Sequence, residues 1–446
     1  MATIGIELVD AAVTAVRDGV RLAASPGVAL VDPAGLVIGE AAAAGARLQP
    51  VIANDRFWSD LSVDALARTA EPQVSHADLA HAHLVSLWQQ LAVAGDQVVF
   101  AIPGSMRLHQ VGLALGIARQ AGIPVAGVVD AAVAACAGLE ARGSVLHLDV
   151  QLHQAVLTEL NGATTLRRRR VEIAPRAGLK VMHSAWAHLV SEAMVRRTRF
   201  DPLHQAAAEQ QLYLRLPGWL AALGNQESVD VTIESGDGAF NATVRREQFT
   251  LAAEAWYAQL AELVHAGHRA DESVTLALSA RAGALPALGE RLASLPGLEL
   301  VMLPDDAAAA GAAERAAEIG PAEPPALVTA LARRHAASAR VRKRGALAMP
   351  THVVQDGKAH AIDERPLVIG HGAGGGRRIA LAGAGAGISR VHCTLQRRDG
   401  AVVVRDHSRH GTFVNGERAE GETVLAAGDR LRVGTPGVVL ELVTVG

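Results

Sequence analysis

The sequence predicts two modules of different class, an α/β domain over residues 1–320 and an all-β sandwich over 349–446. Three observations predict this. Short apolar strands alternate with helix-length amphipathic runs between residues 76 and 139, the mark of an α/β domain. After residue 351 only short strands separated by turn residues remain, as in a sandwich. Between the two lies a stretch, 321–348, with Pro321, Pro324 and Pro325 and the basic run Arg340-Val341-Arg342-Lys343-Arg344, which reads as a charged linker with a short helix at 326–339.

The elements follow in order. Residues 3–16 read as strand, turn near Val9-Asp10 and strand, and a further hairpin closes on Pro33-Ala34-Gly35. Leu79, Leu84, Leu87 and Leu91 fall at helical spacing within 76–94. A buried strand at 97–102 ends on Pro103-Gly104, a helix covers 107–121, and 131–139 is helical again. Residues 144–174 read as three antiparallel strands with a turn at Asn161-Gly162. Arg167 to Arg170 lie in the last of these, where alternation sends two arginines to each face and predicts a solvated edge. Helices are expected at 179–197, 201–213, 246–266, 284–293 and 306–317, with strands VDVTIES, AFNATVRR, VTLALS and LELVML among them. In the last hundred residues Asp399-Gly400 sits between HCTLQRR and AVVVRD, a two-residue hairpin signal, and Asn415-Gly416 is a second one. No internal repeat is visible.

Composition narrows the function. Half the residues are apolar, which excludes general disorder, while aromatics at 3% mean that cores are built from Ala, Val and Leu. A net charge of −3 supplies no bulk basic field for nucleic acid, and the Arg340 to Arg344 run lacks the interleaved aromatics of a single-strand binder. Two cysteines, Cys136 and Cys393, lie in different modules, which suits a reducing compartment. The start MATIGIELVD has no basic-then-apolar signal and no 20-residue apolar span occurs. A soluble, cytoplasmic protein with no membrane partner is expected. His392, His407 and His410 match no zinc spacing, so no metal site is expected.

The C-terminal stretch carries Gly370-His371, Ser389-Arg390-Val391-His392 and Asp406 to Gly416, ending Gly411-Thr412-Phe413-Val414-Asn415-Gly416. This ordered series resembles the forkhead-associated (FHA) family, β-sandwiches that read phosphothreonine peptides. The resemblance implies that His371, Ser389, Arg390, Arg409 and His410 contact a phosphopeptide. It assigns Gly370, His392, Gly411, Thr412 and Asn415 to the framework. Two positions depart from the family: His371 stands where it has a phosphate-binding Arg, and His410 where it has an Asn. The glycine string from Gly370 to Gly376 leads into a strand, so it reads as a loop rather than a dinucleotide cradle. Arg377 and Arg378 follow that loop, within reach of the position His371 leaves under-charged.

Over residues 1–320, GIELVDAAVTAV, VVFAIPGS, VVDAAVAACAGL, LHLDVQLHQAVL, LALSARAGALPAL and LPDDAAAAGAAERAA occur in that order. The series resembles the two-lobed actin-like ATPase domain of DnaK-type heat-shock chaperones. Glu7, Asp130, Asp149 and Arg281 fall at the resemblance's nucleotide-site positions. The phosphate-loop glycines are replaced at Leu8-Val9-Asp10 and at Gln151-Leu152-His153, Arg281 intrudes on the adenosine loop, and Ala43 stands at the family's catalytic Lys. Phosphates are cradled by bare backbone N–H groups, so these changes predict a pseudo-ATPase without cofactor. The expected function is a non-enzymatic adaptor for a phosphothreonine protein, a kinase substrate in a bacterial-type signalling pathway. The alternatives are an ATP- and Mg²⁺-binding chaperone-like ATPase regulated through its FHA domain, and a scaffold in which neither module binds a ligand.

Overall fold

The computed structural model describes residues 2–66, 73–93, 95–141, 143–236, 238–268, 274–320, 325–333, 350–355, 358–372, 377–381, 388–398, 401–409, 411–414, 417–419, 422–425, 429–434 and 438–444. The chain divides into two compact units, Met1–Ser338 and Ala339–Gly446.

The N-terminal unit is mixed α/β and holds two six-stranded sheets. The first runs Leu327–Val328, Val125–Asp130, Gln97–Ile102, Thr3–Leu8, Val13–Arg17, Val20–Ser25. The second runs Leu298–Met302, Val274–Leu278, Val145–Val150, Gln154–Asn161, Thr165–Pro175, Ala330–Ala332. Each contains an antiparallel meander of three consecutive strands, extended by two later strands in parallel. Parallel neighbours cannot be joined by a tight turn, so helices such as Leu108–Gln120 carry the chain back between them. The same order of five strands therefore occurs twice, with the sixth strand added at opposite ends of the two sheets, although no repeat is visible in the sequence. The reason is physical: strand order depends on which apolar faces meet, not on residue identity.

Alternation along Thr3–Leu8 sends Ile4, Ile6 and Leu8 into a core shared with Leu79 and Leu84 of helix His76–Leu91. That helix begins with a capping box between Ser75 and Asp78. The opposite face carries Gly5 and Glu7. A Cβ on Gly5 would lie 1.8 Å from the Ala309 carbonyl oxygen, and one on Gly311 would lie 2.1 Å from that of Ala134. Bare glycines thus let the Ala-rich helix Ala307–Glu314 press against the first strand and the helix Ala131–Cys136. The second sheet packs on helices Leu179–Thr198, Ala206–Leu223 and Glu254–Gly267, with Trp186, Tyr257 and Phe249 wholly buried.

Several expectations are corrected. Residues 325–333 are not linker or helix: Leu327–Val328 pairs parallel with the first sheet and Ala330–Ala332 antiparallel with the second. Edge pairing satisfies these backbone groups in place of helical hydrogen bonds. The stretch 334–349, with Arg340 to Arg344, lies outside the described residues, as do Pro321 and Pro324. The helix expected at 201–213 starts at Ala206 and runs through Pro217 to Leu223, because Leu212, Leu216 and Leu220 continue its buried stripe. The one expected at 246–266 breaks at Ala253. The strand Thr165–Pro175 is flanked at its start by Ala330–Ala332, and Arg168 turns inward to buried Asp130 rather than facing water.

The C-terminal unit is a sandwich of two sheets. One runs Lys358–Ala361, His352–Gln355, Val438–Val443, Arg430–Val433, Thr412–Val414, Glu417–Arg418. The other runs Arg378–Ala380, Leu367–Gly370, Cys393–Arg398, Ala401–Asp406, Glu422–Leu425. Val353, Ile369, Leu395, Val404, Leu431 and Leu440 meet between them. Asp399, Gly400, Asn415 and Gly416 lie outside the described residues; the flanking pairs Arg398↔Ala401 and Val414↔Glu417 are in register for two-residue connections. Among the described residues, no helix is long and apolar enough to cross a membrane.

Candidate functional site

At one end of the sandwich, His392 is fully buried and ties two loops together. Its Nδ1 accepts a hydrogen bond from the Ser389 N–H at 3.0 Å, so Nε2 carries the proton and donates to the Gly411 carbonyl at 3.0 Å. Its own N–H donates to the Ile369 carbonyl, and its carbonyl accepts from the His407 N–H. The second loop braces itself. Asp406 Oδ1 accepts from the Ser408 N–H at 3.1 Å and the Thr412 hydroxyl at 2.8 Å, and the Gly411 N–H donates to Ser408 Oγ at 2.8 Å. Burial opposes ionisation of Asp406, but the bonds donated by Ser408 and Thr412 outweigh it and hold the carboxyl below its ordinary range. Gly411 has φ +83°, a left-handed conformation that a side chain would strain.

This bracing presents Ser389 half-buried and Arg390 exposed. The segment Gly370-His371-Gly372 lies alongside: the His371 N–H donates to the Ser389 carbonyl at 3.1 Å and the Gly372 N–H to the Arg390 carbonyl at 3.2 Å. A Cβ on Gly370 would fall 2.4 Å from the Arg390 carbonyl oxygen, so only glycine allows this approach. His371, Ser389, Arg390, Gly370, His392, Gly411 and Thr412 are thus brought to one rim. Arg409 is exposed beside them on the Asp406–Thr412 loop, while His410 and Asn415 lie outside the described residues. Sequence reasoning gave Asp406 and Ser408 no role, though the run Asp406 to Thr412 carried the signal of a self-bonding loop. The rim thus carries the Ser389 hydroxyl, half-buried, and the exposed side chains of Arg390 and Arg409, beside the close backbone approach of Gly370.

The second cluster lies in the N-terminal unit. The Arg281 guanidinium sits between two carboxylates. Nε donates to Asp149 Oδ1 and Nη2 to Asp149 Oδ2, both at 3.1 Å, and Nη2 also reaches Glu7 Oε1 at 2.7 Å. Glu7 comes from the first sheet and Asp149 from the second, so one side chain fastens the two. Burial pushes the Glu7 carboxyl up, against the pull of Arg281. Burial acts on Asp149 too, but the two-pronged bond with Arg281 holds that carboxyl down. The space left among Glu7, His147, Asp149, Ser279 and Arg281 is about 30 Å³, room for an ordered water or two.

The loop after Asp149 is also filled. Asp10 Oδ1 accepts from the Leu152 N–H at 2.9 Å and Oδ2 from the His153 N–H at 3.3 Å. A carboxylate of the chain itself therefore takes the backbone donors of this loop. His153 and Lys180 both pair with Asp55; burial would raise its carboxyl, yet these two partners bring it far below the ordinary value. Asp130, placed with Glu7 and Asp149 by sequence, is committed elsewhere: Oδ1 caps helix Ala131–Cys136 through the Val133 N–H and Oδ2 binds Arg168 at 2.8 Å. Ala43 lies in the short helix Glu40–Ala43, its carbonyl accepting from Gln210. Asp10, Asp55 and Lys180 were missed because their partners lie about a hundred or more residues away.

A search among curated proteins finds no match to the chain. The family model for the FHA domain matches residues 368–434, which span the rim from Val368 through Ser389 and His392 to Gly434. Residues 368–434 are accordingly the FHA domain of a multidomain chain, a β-sandwich module of the kind that recognises phosphothreonine-containing proteins.

Proposed function

We propose that this chain is a non-enzymatic adaptor. Its FHA domain captures a phosphothreonine protein, and its N-terminal unit is an actin-like, DnaK-type domain that no longer turns over nucleotide. The observation that carries the reading is the His392 brace. By bonding Ser389 N–H and Gly411 carbonyl together, it holds the Ser389 hydroxyl and Arg390 at an accessible rim. Ser389 donates its hydroxyl to the phosphate, Arg390 adds charge, and Arg409 and His410 hold the peptide. Charge-assisted bonds of this kind are about twice as strong as neutral ones.

The twice-used strand order supports an actin-like ancestry for the N-terminal unit, and the Arg281 and Asp10 contacts support its loss of turnover. Hydrolysis needs donors and a cation around the phosphates; here the donors of residues 152–153 are taken by Asp10 and the carboxylates by Arg281. The partner is a kinase-modified protein, and the adaptor acts in the cytoplasm. The test is titration of the full chain with an oriented phosphothreonine peptide library and its unphosphorylated twin. Capture of phosphorylated sequences that disappears in Ser389→Ala supports the adaptor. Equal capture of both libraries defeats it.

A further inference from the structure

The FHA rim lacks the fixed cation of its family at position 371, and the structure assigns a replacement. We propose that Arg378 is a phosphate-binding residue, supplying from the neighbouring strand the guanidinium that His371 does not. The inference rests on the phosphothreonine reading above.

Strand Arg378–Ala380 runs parallel to Leu367–Gly370, with Arg378 opposite Val368. From there the side chain reaches along the strand to the loop. Arg378 Nη1 donates to the Gly372 carbonyl at 2.6 Å. A Cβ on Gly372 would lie 2.9 Å from that Nη1 and 3.3 Å from Arg390 Cβ, so both arginines flank the same point beside the glycine. Gly372 in turn is bonded to the Arg390 backbone. The guanidinium therefore stands at the edge of the surface formed by Ser389 and Arg390, fixed by one of its five N–H donors. Among the described residues no carboxylate pairs with it.

Arg377 behaves in the opposite way. Its guanidinium binds the Asp363 carboxylate and the carbonyls of Ala361 and Arg365, away from this loop. Two adjacent arginines are thus separated by structure into a framework residue and a residue facing the rim. Arginine is suited to the second task because its charge persists at every accessible pH and its planar fork matches a phosphate in two-point contact. A phosphothreonine carries nearly two negative charges near neutral pH. Arg378 and Arg390 on either side of Gly372 balance that charge without any contribution from His371.

The test uses the full chain and the oriented phosphothreonine library with its unphosphorylated twin, followed by calorimetry on the best peptide. Arg378→Gln is expected to weaken phosphopeptide binding by tenfold or more, on the scale of a lost bond to a charged group. Binding of the unphosphorylated twin stays unchanged. Because this variant also removes the Gly372 contact, Arg378→Lys serves as the second variant: it keeps the charge and one donor but loses the fork, and should bind between the two. Arg377→Gln should leave binding as in the parent chain. If Arg378→Gln and Arg378→Lys both bind phosphopeptide like the parent while Ser389→Ala does not, the proposal is wrong and the adaptor stands. If the parent does not distinguish phosphorylated from unphosphorylated peptide, the adaptor reading fails and the role of Arg378 fails with it.

Discussion

The two charged clusters of this chain resolve the same electrostatic problem in opposite ways. In the N-terminal unit, cation and anions are buried together and satisfy one another: Arg281 lies between Glu7 and Asp149, and Asp10 occupies the N–H groups of Leu152 and His153. At the sandwich rim the bracing is internal but the cations face outward. His392 and Asp406 consume the backbone donors of the framework and leave Ser389, Arg390 and Arg378 without a carboxylate partner among the described residues. Where the charged groups bond one another, as around Arg281, they fasten the fold; where bracing falls to other residues, as at His392 and Asp406, the charged side chains stay at the surface.

Breaking the closed cluster should have the largest effect. Arg281→Ala leaves two buried carboxylates facing each other, and removing one partner of a buried ion pair costs about 3–5 kcal/mol. Urea unfolding of the full chain should show the transition of the N-terminal unit shifted by that amount and that of the sandwich unmoved. A shift under about 1 kcal/mol would mean that the cluster does not fasten the sheets.

At the rim, His392→Ala strips the partners from the Ser389 N–H and the Gly411 carbonyl, each worth about 1–3 kcal/mol when left unsatisfied. The sandwich should lose about 2–6 kcal/mol on that basis, and peptide capture should fall with it. Thermal unfolding followed alongside binding separates the two losses. Retained stability with lost binding would make His392 a contact residue rather than a brace.

A third effect is acid sensitivity of the N-terminal unit. His83 is fully buried, its Nδ1 accepting from the Trp58 N–H at 3.1 Å and its Nε2 donating to Ser25 Oγ at 2.8 Å. Burial lowers its pKa to about 4. The unfolded chain then binds a proton between about pH 6.5 and 4 that the folded chain refuses. The stabilising contribution is therefore complete above pH ~6.5 and is lost as pH falls toward 4, reaching about 3 kcal/mol. His83→Gln should reduce the slope of the stability profile over that window, with the buried His147 and His183 contributing the remainder, whatever its cost at neutral pH. An unchanged slope would assign the acid loss to other groups.

The smallest effect expected is that of Thr412→Val, which removes one bond to Asp406 at 2.8 Å. It should cost the sandwich about 1 kcal/mol, measurable as a shift in its urea midpoint.

Local signals made much of this legible. The meander of residues 144–174, the helix of the 76–94 run and the hairpins flanking Asp399-Gly400 and Asn415-Gly416 follow from periodicity and turn chemistry, and the ordered motifs marked the FHA rim. What escaped is non-local. Arg281 and Glu7 are 274 residues apart and Asp10 and Leu152 are 142 apart, and no pattern within either segment encodes the meeting. The strands at 327–332 are short edge additions whose partners, not their own alternation, define them. The distinction between Arg377 and Arg378 likewise depends on where Asp363 and Gly372 lie in three dimensions.

We propose that the carboxylate cluster around Arg281 binds no nucleotide while the sandwich rim takes a phosphothreonine peptide. Sequential calorimetric titration of the full chain with the best phosphothreonine peptide and then with ATP and Mg²⁺ tests it in one sample. The account predicts saturable binding of the peptide, absent for its unphosphorylated twin, and no binding of nucleotide. Saturable nucleotide binding with no preference for the phosphorylated peptide would contradict it on both sides.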